Sequence, residues 1–128
     1  MKLSFSQFEE LFEEALKENR AFVLDWKFPV EDIVFNVKTV CPDLDIKSMP
    51  EKQVFGDWVQ SVFIDETEYS FMANSETLIL DVISTVNKHL QKTNQTLVFF
   101  NTQDDDLYFI LIDLSELPLY LDKGFDEI

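Results

Sequence analysis

An α+β fold is predicted: a mostly antiparallel sheet of two hairpins with an additional strand, three main helices and a short C-terminal helix. Three observations predict it. Apolar residues recur at helical spacing in three separate stretches; elsewhere they alternate or run continuously in short segments; and the two patterns are interleaved along the chain as α, β, α, ββ, α, ββ, short α. With 128 residues, 46% of them hydrophobic and 13 of them Phe, the chain has material for one core, so residues 1–128 are read as one domain. That apolar content offsets the entropy of ordering and separates the chain from disordered sequences of similar charge.

The first helix is expected from about Ser4 to Asn19. Phe8, Leu11, Phe12, Ala15 and Leu16 share one face, Glu9, Glu10, Glu13 and Glu14 occupy the rest, and Phe5 extends the apolar stripe. Ser4 and Gln7 form a capping box, with Leu3 stapled onto Phe8. Ala21 to Phe28 reads as a short strand stopped by Pro29. Proline then suits the first turn of a second helix, in which Ile33, Val34, Val37, Val40 and Cys41 repeat until Pro42. Residues 43–53, with Pro50 among them, read as a loop.

From Val54 the period changes. Trp58, Val62 and Ile64 alternate with Val59 and Phe63, Asp65-Glu66-Thr67 turns the chain, and residues 68–72 return as a hairpin partner. Ser75 is expected to cap a third helix with Ile79, Val82, Ile83, Val86 and Leu90 on its inner face, ending near Thr93-Asn94. A second hairpin crosses the segment 102–106. Its strands, 96–101 and 107–113, are apolar at nearly every position, which predicts cover on both faces. Ser115 starts the last short helix, limited by Pro118.

Several function classes fall to composition. Ten Lys and Arg against 25 Asp and Glu give a net charge of -15, the wrong sign for neutralising phosphates, so direct nucleic-acid binding is not expected. Met1 to Phe5 run straight into glutamates without an apolar leader segment, and no stretch approaches the ~20 apolar residues of a membrane span. A lone Cys41 makes no intrachain disulfide, and the expected location is the cytoplasm. Gly56 and Gly124 are too few to build a phosphate-cradling loop.

No catalytic constellation emerges, and the chain is expected not to be an enzyme. His89 is the single imidazole, beside the core stripe of the third helix, and Cys41 reads as a small buried hydrophobe. Asp25-Trp26-Lys27 and Asp45-Ile46-Lys47 each match half of a metal-dependent nuclease site, but neither has a separate carboxylate partner. Asp104-Asp105-Asp106 lacks the alternate spacing, glycine and downstream glutamate of a calcium loop. No metal site and no cofactor are expected.

Charge is unevenly divided. Residues 54–74 hold four carboxylates and no Lys or Arg, while residues 96–128 hold eight carboxylates and Lys123 alone; together they account for -11 of the -15. Such a surface steers a cationic partner. If both hairpins join one sheet through a right-handed connection, Asp65, Glu66 and Glu68 meet Asp113 and Glu116 at one end, while Asp57, Asp104, Asp105 and Asp106 gather at the other. The first group is the expected partner-binding site, because strand ends are stiffer than a long hairpin loop, and the second group is the alternative. Trp58 and Tyr69, near these ends, read as core with a secondary role as anchors.

In size, acidity, α+β content and lack of catalytic groups, the whole chain resembles the immunity proteins that bacteria encode beside secreted or contact-delivered toxins. That resemblance implies a monomer or weak dimer and a tight complex with one basic toxin domain, most often a nuclease. A small acidic secretion chaperone, normally dimeric, and a nucleic-acid mimic that inhibits DNA-binding proteins are the alternatives. The segment from Val30 to Cys41, helical where a chaperone of that type would continue its strands, argues against the first of these.

Overall fold

The computed structural model describes residues 2–102 and 105–128. In chain order the elements are α1 (Phe5–Lys17), β1 (Ala21–Asp25), α2 (Val30–Val40), β2 (Ile46–Ser48), β3 (Lys52–Val54), β4 (Asp57–Ile64), β5 (Thr67–Met72), α3 (Leu78–Leu90), β6 (Gln95–Asn101), β7 (Asp106–Asp113) and α4 (Leu117–Asp122). The fold is α+β and every strand pairing is antiparallel.

The two hairpins lie in separate sheets rather than in one. In the first sheet, β7 is central between β1 and β6; in the second, β4 is central, with β5 on one edge and β2 and β3 in succession along the other. The expected connection from β5 through α3 to a strand beside it in the same sheet is therefore not made. Residues 43–53, expected as a loop, supply β2 and the first two residues of β3. Each strand is only three residues long, and neither shows a period of its own. What holds them is the long edge of β4, with Ile46 opposite Ile64 and Lys52 opposite Val59.

The first sheet is covered on both faces, as its continuous apolar strands require. One face sends Phe22, Leu24, Leu97, Phe109 and Leu111 into a core shared with α2, α3 and the inner residues Val62 and Ile64 of β4. The opposite face packs Val98, Phe100, Ile110 and Ile112 against Phe8, Phe12 and Ala15 of α1 and against Tyr120 and Phe125. Phe8 stacks on Phe100 with centroids 4.2 Å apart and meets Tyr108 edge-on at 5.2 Å. Phe5 and Leu16, expected on this apolar stripe, are exposed, because α1 crosses the sheet only along its central turns.

The free edge of β6 is closed by other parts of the chain. Phe99 exchanges backbone hydrogen bonds with Asp126, at 3.1 and 2.8 Å. Buried Asn87 on α3 donates to the Leu97 carbonyl at 2.9 Å and accepts from the Leu97 amide at 2.7 Å. Both polar groups that an edge strand leaves open at Leu97 are thereby satisfied, and α3 is fixed in register with the first sheet.

Local signals were followed closely at α1, where Ser4 and Gln7 form the reciprocal capping box. Two helix starts differ by a few residues. Pro29 sits at the N-cap of α2 rather than within its first turn, and α3 is capped at Thr77, not Ser75. The Ser75 hydroxyl instead accepts from the Thr77 amide at 3.3 Å, forming the turn that precedes the helix. Among the described residues no helix is long and apolar enough to cross a membrane.

Candidate functional site

Strand β4 spans the molecule and carries a two-residue turn at each end, which defines two poles. The lower turn, Phe55-Gly56, joins β3 to β4 across the pair Val54–Asp57; the upper turn, Asp65-Glu66, joins β4 to β5 across Ile64–Thr67. Both central residues have positive φ in each turn, 52° and 89° below and 49° and 71° above. This is the signature of type I′ turns, whose twist matches that of the strands they join.

At the upper pole Asp65 reaches across to α3. Its carboxylate lies 3.0 Å from Nδ1 of His89, and Nε2 of the same ring lies 2.7 Å from the Tyr69 hydroxyl. A carboxylate only accepts, so Nδ1 carries a proton and donates to Asp65, which leaves Nε2 of the singly protonated tautomer to accept from the Tyr69 hydroxyl. The His89 side chain is 5% exposed and the Asp65 side chain 51%, so a solvent-facing carboxylate is tied to a buried ring. The Asp65 amide also donates to the Asp45 carbonyl at 2.9 Å, fixing the turn to the chain entering β2. The order carboxylate, imidazole, hydroxyl is that of an activated nucleophile. Here the hydroxyl belongs to half-buried Tyr69 on the inner face of β5, and the arrangement fastens the turn to the end of α3.

The other two carboxylates expected here come from the end of β7. Asp113 and Glu116 cap the turn before α4 reciprocally, the Glu116 carboxylate accepting from the Asp113 amide at 3.2 Å. The Leu114 amide donates to the Asn94 carbonyl at 2.8 Å, which places this turn beside the chain leaving α3. Asp65, Glu66, Glu68, Asp113 and Glu116 thus share one pole, but not one surface. Asp65 lines a cavity of about 370 Å³ with Asp43, His89, Lys92 and Thr93, whereas Asp113 and Glu116 line a neighbouring one of about 650 Å³ with Glu18 and Arg20. Val40, Pro42 and Gln95 border both.

Sequence reasoning missed Arg20 and Asp43 at this pole. Burial works against the Arg20 charge, but hydrogen bonds to Glu18 and Tyr120 outweigh it and raise its pKa above the ordinary arginine value. Its guanidinium also donates to the Leu111 carbonyl at 3.1 Å. Cys41, at the end of α2, borders the smaller cavity, and burial pushes its thiol up to about 12. No local pattern could have brought Asp43 to Asp65, since their proximity follows from the pairing of β2 with β4.

At the lower pole the Trp26 amide donates to the Asp105 carbonyl at 3.2 Å, and Asp25 stands opposite Asp106 in the ladder. The Ala73 amide donates to the Trp58 carbonyl at 3.0 Å. Between these two rims lies a cavity of about 600 Å³ lined by Trp26, Phe28, Glu51, Ala73, Glu76 and Leu107, among others. Asp57 starts β4 at the same end; Asp104 lies outside the described residues. Trp58, read from the sequence as core, is 53% exposed. It shares the inner face with buried Gln60, Val62 and Ile64 but stands beyond the cover of the helices. Among the described residues no group of three or more His, Cys, Asp or Glu is placed to hold a metal ion.

Two antiparallel sheets and a net charge of -15 define the chain as an acidic α+β domain. It belongs to the family described as Domain of unknown function (DUF6630), which matches residues 4–121 and so takes in almost all of the fold. No curated protein and no solved structure matches it significantly.

Proposed function

We propose that this chain is a non-catalytic, cytoplasmic binding domain that neutralises a basic protein partner, in the manner of a bacterial immunity protein acting on its cognate toxin. The observation that carries the reading is the concentration of charge, twelve carboxylates against Lys123 over residues 54–74 and 96–128, among them Asp57, Asp106 and Asp113 at strand ends and Asp65 and Glu66 in a turn. A field of one sign on stiff elements raises the encounter rate with a cation and orients it. Glu66 supports the upper pole as a contact. Its φ of 71° belongs to the second turn position, where glycine is the stable choice, so a carboxylate is held there at a cost to folding. Asp65, Asp113 and Glu116 already hold His89 or cap a turn, which makes Glu66 and Glu68 the carboxylates of that group with which a partner would pair first.

The test uses the product of the reading frame adjacent to the gene, as purified protein, in surface-binding kinetics. Association should slow clearly from low to physiological salt while dissociation changes less, and Glu66→Lys with Glu68→Lys should reduce the on-rate by about tenfold. An on-rate indifferent to salt would reduce the acidity to solubility. An obligate dimer bound to an unfolded effector would instead favour the secretion-chaperone reading.

A further inference from the structure

The lower pole carries a feature that charge alone does not explain. Phe55 occupies the first position of its turn at φ 52° with its side chain fully exposed. Asparagine and aspartate are the residues that tolerate this left-handed geometry, as Asn19 and Asn94 do at the other non-glycine, non-hairpin sites. A bulky aromatic ring bears the steric penalty and here gains no burial in return. Nothing in the fold selects phenylalanine at this position.

Phe55 does not stand alone. Trp58 follows it on β4, and Trp26 borders the cavity whose other wall begins at Ala73, the residue hydrogen-bonded to Trp58. Trp26 is 54% exposed and Trp58 53%. Exposed Glu51 and Glu76 line the cavity with Trp26, Asp105 is bonded to Trp26 through the backbone, exposed Asp57 precedes Trp58 on β4, and the Lys27 ammonium, 5.2 Å from the Trp26 ring centroid, shows that the ring takes a cation on its face. We infer that the lower pole is a docking surface for a cationic protein segment that alternates Lys or Arg with apolar side chains. Phe55 and Trp58 are its anchors, and the carboxylates around them are its ion-pair partners. Aromatic anchors within a charged rim are the usual composition of an interface hot spot. A second copy of this chain is a poor occupant, because two surfaces from chains of net charge -15 repel each other. The inference rests on the basic-partner reading above and adds to its upper-pole contact a second one, at the lower pole, with an apolar component.

Trp26 and Trp58 are the two tryptophans of the chain, so intrinsic fluorescence reports this surface directly. The intact protein is titrated with an amphipathic Lys/Leu peptide and, separately, with poly-lysine of equal charge. The Lys/Leu peptide should shift tryptophan emission to the blue saturably and bind at least about tenfold more tightly than poly-lysine. Phe55→Asn should weaken that peptide by about tenfold while leaving the thermal midpoint unchanged or higher, and Glu66→Lys with Glu68→Lys should leave the shift in place. Equal binding of the Lys/Leu peptide by wild type and Phe55→Asn, or equal affinity for the two peptides, would overturn the docking surface while the basic-partner reading survives. Failure of both peptides to bind at low salt would overturn both readings.

Discussion

The two turns at the ends of β4 have the same backbone and opposite surroundings. At the upper one Asp65 is tied through His89 to Tyr69 and through its amide to Asp45, so the turn is anchored to α3 and to β2. At the lower one, Gly56 relieves the backbone and the Phe55 ring faces solvent, with the Gln53 side-chain amide on the Gly56 carbonyl at 3.3 Å as its local tie. A hairpin turn thus needs only its backbone geometry from the sheet. What its side chains do is free to vary, and here one turn is built into the body while the other is presented outward.

The largest effect expected on this contrast comes from His89→Phe, which keeps ring volume but removes both hydrogen bonds. A half-buried phenol loses its partner and the upper turn its tether, so stability should fall by about 2 kcal/mol in urea denaturation, and the Asp65 amide should lose hydrogen-exchange protection. Unchanged stability and protection would show that the tether is incidental and the two turns equivalent.

Exchanging the glycine logic of the turns should give effects of opposite sign. Gly56→Ala forces a Cβ into φ 89° and should cost about 1 kcal/mol, although open space surrounds it, whereas Glu66→Gly should stabilise by about 0.5–1 kcal/mol. If Glu66 serves a partner, the more stable variant binds more slowly, the trade-off expected where a contact residue opposes folding. A neutral or destabilising Glu66→Gly would remove strain as an argument for the upper pole.

The smallest effect concerns Cys41 beside the upper cavity. Its thiol, pushed from 9.0 to about 12 by burial, stays protonated in the folded state where the unfolded chain ionises. The sign follows directly: its contribution to stability is fully present below 9.0 and is lost as pH rises toward 12, because the unfolded state releases the proton first. The thiol should therefore resist a disulfide reagent until urea unfolds the protein, and the stability gap between wild type and Cys41→Ala should narrow as pH rises from 9.0 toward about 12. Rapid native labelling would mean that the upper pole opens.

Much of the fold was legible because its signals are local. The capping box at Ser4 and Gln7, the helical stripe from Ile33 to Val40, and the uninterrupted apolar strands at 97–100 and 107–112 each report a geometry decided within a few residues. The charge contrast between segments was equally visible, whereas the one-sheet topology used to group the carboxylates into two ends is not the one the chain adopts. Segment 46–54 was not, since three-residue strands have too short a run to show a period and exist only as edges of β4. Trp58 was read as core because alternation places it on the inner face of β4. How far the helices extend over that face depends on where α2 and α3 end, which alternation does not encode.

By itself, then, the sequence determined which stretches are helix or strand, which of their faces are apolar, and where the charge accumulates, because side-chain period and composition act over a turn or a strand. The tertiary structure decided that the hairpins separate into two sheets, that His89 lies between Asp65 and Tyr69, and that Phe55, Trp26 and Trp58 emerge at one pole. Those outcomes depend on which edges pair and which faces are covered. Both are settled by groups twenty or more residues apart, such as Tyr69 and His89, whose meeting no local pattern records.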